Sequence, residues 1–153
     1  MRRKEKKIDS IIELGEILEN GRICRIAMID NGVPYIIPLC YGYEDGYLYF
    51  HTAPEGKKID LILENQYIGF EIDIAHELIT DEIAGKWTMK YKSISGNGRA
   101  ELVGNYQDKI DAYRVIMEQF SGSRDWNFAP GCIDASLIIK LEIMTMTGKK
   151  SGY

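Results

Sequence analysis

The sequence predicts a small, mainly β protein: a six-stranded antiparallel barrel, closed or nearly so, with helices flanking it. Short apolar runs, some alternating and some continuous, recur between turn signals along the chain. Asn31-Gly32 separates two of these runs, and both residues tolerate the positive φ of a two-residue hairpin turn. Gly96 and Gly98 interrupt a later run, where they permit a bend or the close approach of another backbone. At 153 residues the chain fits one domain, 1–153, around one core.

Arg2, Arg3, Lys4, Lys6 and Lys7 read as a solvated, flexible tail over residues 1–8, because no apolar stretch follows them as an export signal requires. Ser10 with Glu13 forms a capping-box signature, and Ile11, Leu14, Ile17 and Leu18 then recur at helical spacing until Asn20-Gly21. Residues 22–30 are apolar on both faces, as a strand covered on two sides requires. After the hairpin, residues 33–43 form a return strand whose pairing is expected to break at Pro38, which has no N–H to donate. A turn at Glu44-Asp45-Gly46 leads to a third strand, 47–51, so that three strands run as a meander.

Ile59, Ile62 and Leu63 place a short helix after Gly56, ending at Asn65. Ile68, Phe70, Ile72 and Ile74 alternate in a half-buried fourth strand. Residues 76–86 read as loop and 93–102 as a fifth strand. A helix from Asp108 presents Ile110, Tyr113, Ile116, Met117 and Phe120 on one face and stops at Ser121-Gly122. Residues 121–135 read as loop, 137–143 as the sixth strand, and Thr147-Gly148-Lys149-Lys150 as a polar tail.

Composition narrows the function. A net charge of -4 supplies no basic face for nucleic acid, and no apolar run reaches membrane-spanning length. Three widely spaced cysteines without a CxxC pair fit reduced thiols in the cytoplasm. The two histidines, His51 and His76, have no metal-ligand spacing, so no metal site is expected.

Gly56-Lys57-Lys58 opens a helix with two cations, the form a phosphate site takes; a solvated helix start has the same form. Tyr49-Phe50-His51-Thr52 brings aromatic surface and hydroxyl groups to the same strand end, and 36–40 offers a second apolar wall. His51 reads as a pocket residue, with no acid or base role assigned to any side chain.

Arg25-Ile26-Ala27, Pro34-Tyr35-Ile36-Ile37-Pro38-Leu39, Tyr49-Phe50-His51-Thr52-Ala53 and Gly56-Lys57-Lys58, in this order and spacing, resemble the pyridoxamine 5'-phosphate oxidase-like FMN-binding split barrels. Residues 86–94 and the closing Thr147-Gly148-Lys149 resemble the nitroimidazole-resistance branch of that family. The resemblance implies a split barrel binding FMN at two equivalent sites between the subunits of a homodimer. It implies a flavin ring against Pro38, Leu39 and Cys40, bordered by Tyr49, Phe50 and His51. It also implies a phosphate held by Lys57 and Lys58, with Ser93 contacting the flavin and Trp87 at the subunit boundary. The implied activity is reduction of small electron-poor acceptors such as nitro compounds, with NAD(P)H or another electron donor. The true vitamin oxidases end in a Trp and Arg segment for their substrate, whereas this chain ends in Met144-Thr145-Met146-Thr147-Gly148-Lys149, which argues against vitamin oxidation. A flavin- or heme-binding module without turnover and a deazaflavin-dependent reductase are the rivals; rapid flavin reoxidation by an acceptor under steady NAD(P)H favours the enzyme over the module, and the absorption spectrum identifies the bound group.

Overall fold

The computed structural model describes residues 4–153. After a 3₁₀ turn at Lys4–Lys6 come β1 (Lys7–Ile8), α1 (Ile11–Asn20), β2 (Ile23–Asp30), β3 (Val33–Cys40), β4 (Gly42–Glu44), β5 (Tyr47–Thr52) and α2 (Lys57–Glu64). Then follow β6 (Tyr67–Ile79), a 3₁₀ turn at Ala84–Lys86, β7 (Thr88–Val103), α3 (Tyr106–Ser121), α4 (Pro130–Asp134) and β8 (Leu137–Ser151). All strand pairs are antiparallel, in the order β3-β2-β6-β7-β8-β5-β4, with β1 added on β8. Tyr41 alone links β3 at one edge to β4 at the other, so the chain itself closes the curve of the sheet. The mainly β, antiparallel architecture is as expected, with eight strands in place of six. No helix among the described residues is long and apolar enough to cross a membrane.

The hairpin forms as its residues dictate: Asn31 and Gly32 have φ of 49° and 83°, and Asp30 faces Val33 across the turn. Hydrogen-bonded pairs alternate along the ladder from there, which puts Pro34 opposite Ile29 and Pro38 opposite Arg25 at non-hydrogen-bonded positions. The donor each proline lacks would point to the free edge of the sheet. The break expected at Pro38 is therefore absent, and register runs unbroken from Val33 to Cys40. The meander also requires correction, since β5 pairs with β4 and β8 and not with β3.

The core collects Cys24, Ile26 and Met28 of β2, Ile68, Phe70 and Ile72 of β6, Ile94 and Ala100 of β7, and Ile139 and Leu141 of β8. Leu48 and Phe50 of β5 join them, and α1 and α2 add Ile17, Leu18, Ile59, Leu61 and Ile62. Buried Tyr41 donates its hydroxyl to the Leu18 carbonyl at 2.7 Å, and Gln119 of α3 donates to the carbonyls of Leu18, Glu19 and Gly21. These bonds satisfy carbonyls that the end of α1 leaves without helical partners. At its start, Ser10 accepts from the Glu13 N–H at 3.3 Å. The Glu13 carboxylate does not complete a capping box; it takes Lys150 at 2.9 Å and Lys92 at 3.0 Å.

Several boundaries move. Residues 7–8 pair with Gly148 and Lys149, and Ile8 is buried, which corrects the flexible tail over its described part; Arg2 and Arg3 lie outside the described residues. The loop expected over 76–86 is partly strand, because a bulge at Ala75, φ 59°, restarts pairing at Glu77 and carries an arm out to Ile79 and Thr88. The helix expected from Asp108 begins two residues earlier, where Asn105 accepts from Gln107 and Asp108. Its buried face is Lys109, Ala112, Val115 and Ile116, and Phe120 stands outside. The loop over 121–135 contains α4.

The polar tail at 147–150 is strand, paired with β7. Its alternation is disguised because Asn97 faces Thr145 while Gly98 faces Ile143, so Met144 is an extra residue that flips the pattern. Gly96 and Gly98 make this approach possible. A Cβ on the first would strike the Thr145 carbonyl and the Phe70 ring, and on the second the Glu142 carbonyl and Leu141.

Candidate functional site

Helix α2 starts at Gly56, which has no side chain to cap it. Its carbonyl takes the N–H groups of Ile59 and Asp60, so those of Lys57 and Lys58 have no acceptor among the described residues. Thr52, at the adjoining end of β5, is 7% exposed and its hydroxyl has no partner among the described residues. The Lys57 ammonium pairs with Asp30 at the hairpin end and lies 4.9 Å from the Tyr35 ring centre; the bond to Asp30 pushes its pKa up. Lys58 is half-buried and enters no ion pair among the described residues. Two lysines and two free amides therefore lie at one helix start, shortly after the unsatisfied Thr52 hydroxyl in sequence, a set of donors suited to a phosphate.

The alternation of β5 turns Tyr47, Tyr49 and His51 outward and Leu48, Phe50 and Thr52 inward. Tyr49 lines a groove of about 770 Å³ between β5, β7, β8 and α3, with Lys140 6.0 Å from its ring centre. Burial, followed by the charges of Glu44, Tyr47 and Asp45, raises its phenol pKa. Exposed His51 stacks on Tyr113 of α3. Phe50 is fully buried, so its side chain supports the strand from the core and does not face a ligand.

On β3, Pro38 and Cys40 are exposed on the outer face, while Leu39 is half-buried against the core. Ser93 lies on β7 between Asp73 and Lys149. Trp87 stands at the tip of the β6–β7 arm, half-exposed, its indole N–H donating to the Asp81 carbonyl at 2.6 Å. The ten expected residues thus fall into separate groups: Lys57, Lys58 and His51 near the start of α2; Tyr49 in the groove beside α3; Phe50 in the core; Pro38, Leu39 and Cys40 on the β3 edge; Ser93 and Trp87 at the far end of the sheet. Asp73 continues the row beyond the Cys24–Ile72 pair to Ile23, and Asp30 is seven residues further along β2, ~24 Å at strand spacing.

Two arrangements have no signal in the linear sequence. One is the contact of His51 with Tyr113. The other is a polar cluster on the outer face, where Arg25 donates to Glu71 at 3.0 Å and Asp73 at 2.5 Å, and His76 meets Asp73 at 2.7 Å. Burial raises the Asp73 pKa, but the bonds from Arg25 and His76 outweigh it and leave a net lowering. Burial and the neighbouring Asp73 charge raise that of Glu71.

A family model described as pyridoxamine 5'-phosphate oxidase matches residues 12–150. Among solved structures, a candidate 5-nitroimidazole antibiotic resistance protein from Bacteroides thetaiotaomicron is similar at a TM-score of 0.82 and 24% identity, over 94% of this chain and 86% of that one. A flavocytochrome from Azotobacter vinelandii gives 0.82 at 20% identity, over 100% and 72%. An FAD- and heme-binding protein from Mycobacterium smegmatis gives 0.84 at 16%, over 97% and 74%. No curated protein matches the chain.

Proposed function

Since the chain belongs to the pyridoxamine 5'-phosphate oxidase family, we propose that it is an FMN-binding redox protein that reduces small electron-poor acceptors such as nitro compounds, with NAD(P)H as donor. The observation that carries this reading is the start of α2, where the Thr52 hydroxyl and the backbone amides of Lys57 and Lys58 are left without acceptors among the described residues and two lysine side chains stand nearby, that of Lys57 held by Asp30. The similar structures whose descriptions name flavin, and the one described by nitroimidazole resistance, support the choice of cofactor class and acceptor.

When bound, FMN would supply the electron or hydride transfer. The chain's own task is to hold and orient it. Lys57 and Lys58 would neutralise the phosphate, Thr52 would donate its unused hydroxyl, and His51 would border the ring as a wall. Within one chain the Lys57 cluster and Ser93 are too far apart for one mononucleotide to touch both. We take this separation to support a homodimer in which Pro38, Cys40, Ser93 and Trp87 complete the site of the opposite subunit.

Fluorescence titration with FMN, FAD and riboflavin tests the reading. FMN is expected to bind more tightly than riboflavin, and replacing Lys57 and Lys58 by Ala should weaken FMN by roughly tenfold or more per lost charge-assisted contact, with riboflavin little affected. Equal affinities for FMN and riboflavin would overturn the phosphate site. An oxidised-flavin absorption spectrum separates this reading from a heme module.

A further inference from the structure

The ring of His51 lies 5.8 Å from that of Tyr113, inclined at 33°, and Tyr113 lies 5.6 Å from Phe128, inclined at 42°. These are spacings at which rings attract beyond the area they bury. Tyr113 is backed by the small cluster of Ala112, Ile116 and Ile138. Phe128 belongs to the irregular segment 122–129, which is fastened by Arg124 to Glu44 and Glu118, and by the Trp126 indole N–H to Ser121 at 3.0 Å. Between residues 124 and 131 every residue is exposed except Phe128, which turns inward to the stack. His51 stays exposed and both other rings are half-buried, so the column keeps an open flank next to the Thr52–Lys58 corner.

Resting on the flavin reading above, we infer that Tyr113 and Phe128 extend the site as an aromatic wall that selects planar ring acceptors over saturated ones of the same size and polarity. A flat ring can lie face to face on one ring of the pair and obliquely against the other. A puckered ring touches only through its axial hydrogens and has no π system to complement the negative face of the tyrosine. An electron-poor ring gains most, because its face is depleted of the charge that the phenol face carries. Sequence position could not reveal this wall, since its members come from β5, α3 and the segment before α4.

Nitrobenzene and nitrocyclohexane share the polar group and differ in the ring. Their binding to the oxidised, FMN-loaded protein can be read from perturbation of the flavin absorption band, without turnover. Nitrobenzene is expected to bind more tightly, and Tyr113→Leu and Phe128→Leu should each reduce the ratio of the two affinities by roughly three- to tenfold, whereas Phe128→Trp should keep or raise it. Because the ratio is taken within one protein, a general loosening of a variant does not imitate the effect. An unchanged ratio in both Leu variants, or no preference in the parent protein, would overturn the wall. A parent protein that takes up no flavin would instead overturn the reading beneath it.

Discussion

A buried hydroxyl without a partner costs roughly 1–3 kcal/mol, and Thr52 keeps such a group at the end of β5. Thr52→Val retains the shape and removes the unmet bond. The flavin-free variant is therefore expected to melt at the same temperature as the parent or higher, while its FMN affinity drops by roughly tenfold. A variant that loses stability without flavin, or binds FMN as before, would show that the hydroxyl has no part in the site. That Lys57, Lys58, His51 and Thr52 stand near one another was legible in the sequence, because they lie within eight residues, on a strand end and the helix start that follows. Tyr113 and Phe128 were not legible, because residue spacing cannot show which outward face of a sheet a distant helix will cover. Phe50 shows the opposite limit. It sits in the right motif, yet the two-residue period of β5 sends its side chain to the core.

At the scale of elements, strands with strict alternation were read correctly and those with a bulge were not. The first half of β6, with Ile68, Phe70 and Ile72 inward, is the simple case, and its continuation beyond the bulge at Ala75 falls where the sequence reads as loop. β8 is the hard one, because its extra residue at Met144 makes the second half look like a tail. α1 illustrates how a local signal can be half right: Ser10 caps the helix, but Glu13 is drawn away by lysines of β7 and β8. Hydrogen bonds from Lys150 and Lys92 hold the Glu13 carboxyl below its ordinary 4.5. A carboxyl lowered in the folded state contributes stability that is complete above its unfolded value and is lost as pH falls through the folded one. Urea midpoints of the parent and Glu13→Gln should thus differ most near about pH 7 and converge toward about pH 3. A gap that stays constant across that range would remove Glu13 from the acid response.

At the scale of the whole molecule, β2 carries apolar residues on both faces, but only one face is covered within the chain. Ile29 and Ile36 are 57% and 59% exposed on the outer side, beside Pro34 and Pro38, and Leu78, Trp87 and Met89 stand out on the arm. A second copy of the chain is the partner we propose for this surface. Sedimentation should show a dimer that FMN strengthens, since a ligand held only by the assembled form shifts association by mass action. Ile36→Glu should weaken the dimer, and a flavin-saturated monomer at micromolar concentration would refute the shared site. The place of β8 has a different consequence. Residues 137–151 lie between β7 and β5 and also carry β1, so β8 holds together three strands that are synthesised before it. While the chain is still emerging from the ribosome, β5 and β7 each present an unpaired edge, and the barrel cannot close however long translation pauses upstream of residue 137. Closure must wait for residues 137–151, and during that wait the nascent chain is open to pairing with its neighbours on the same message.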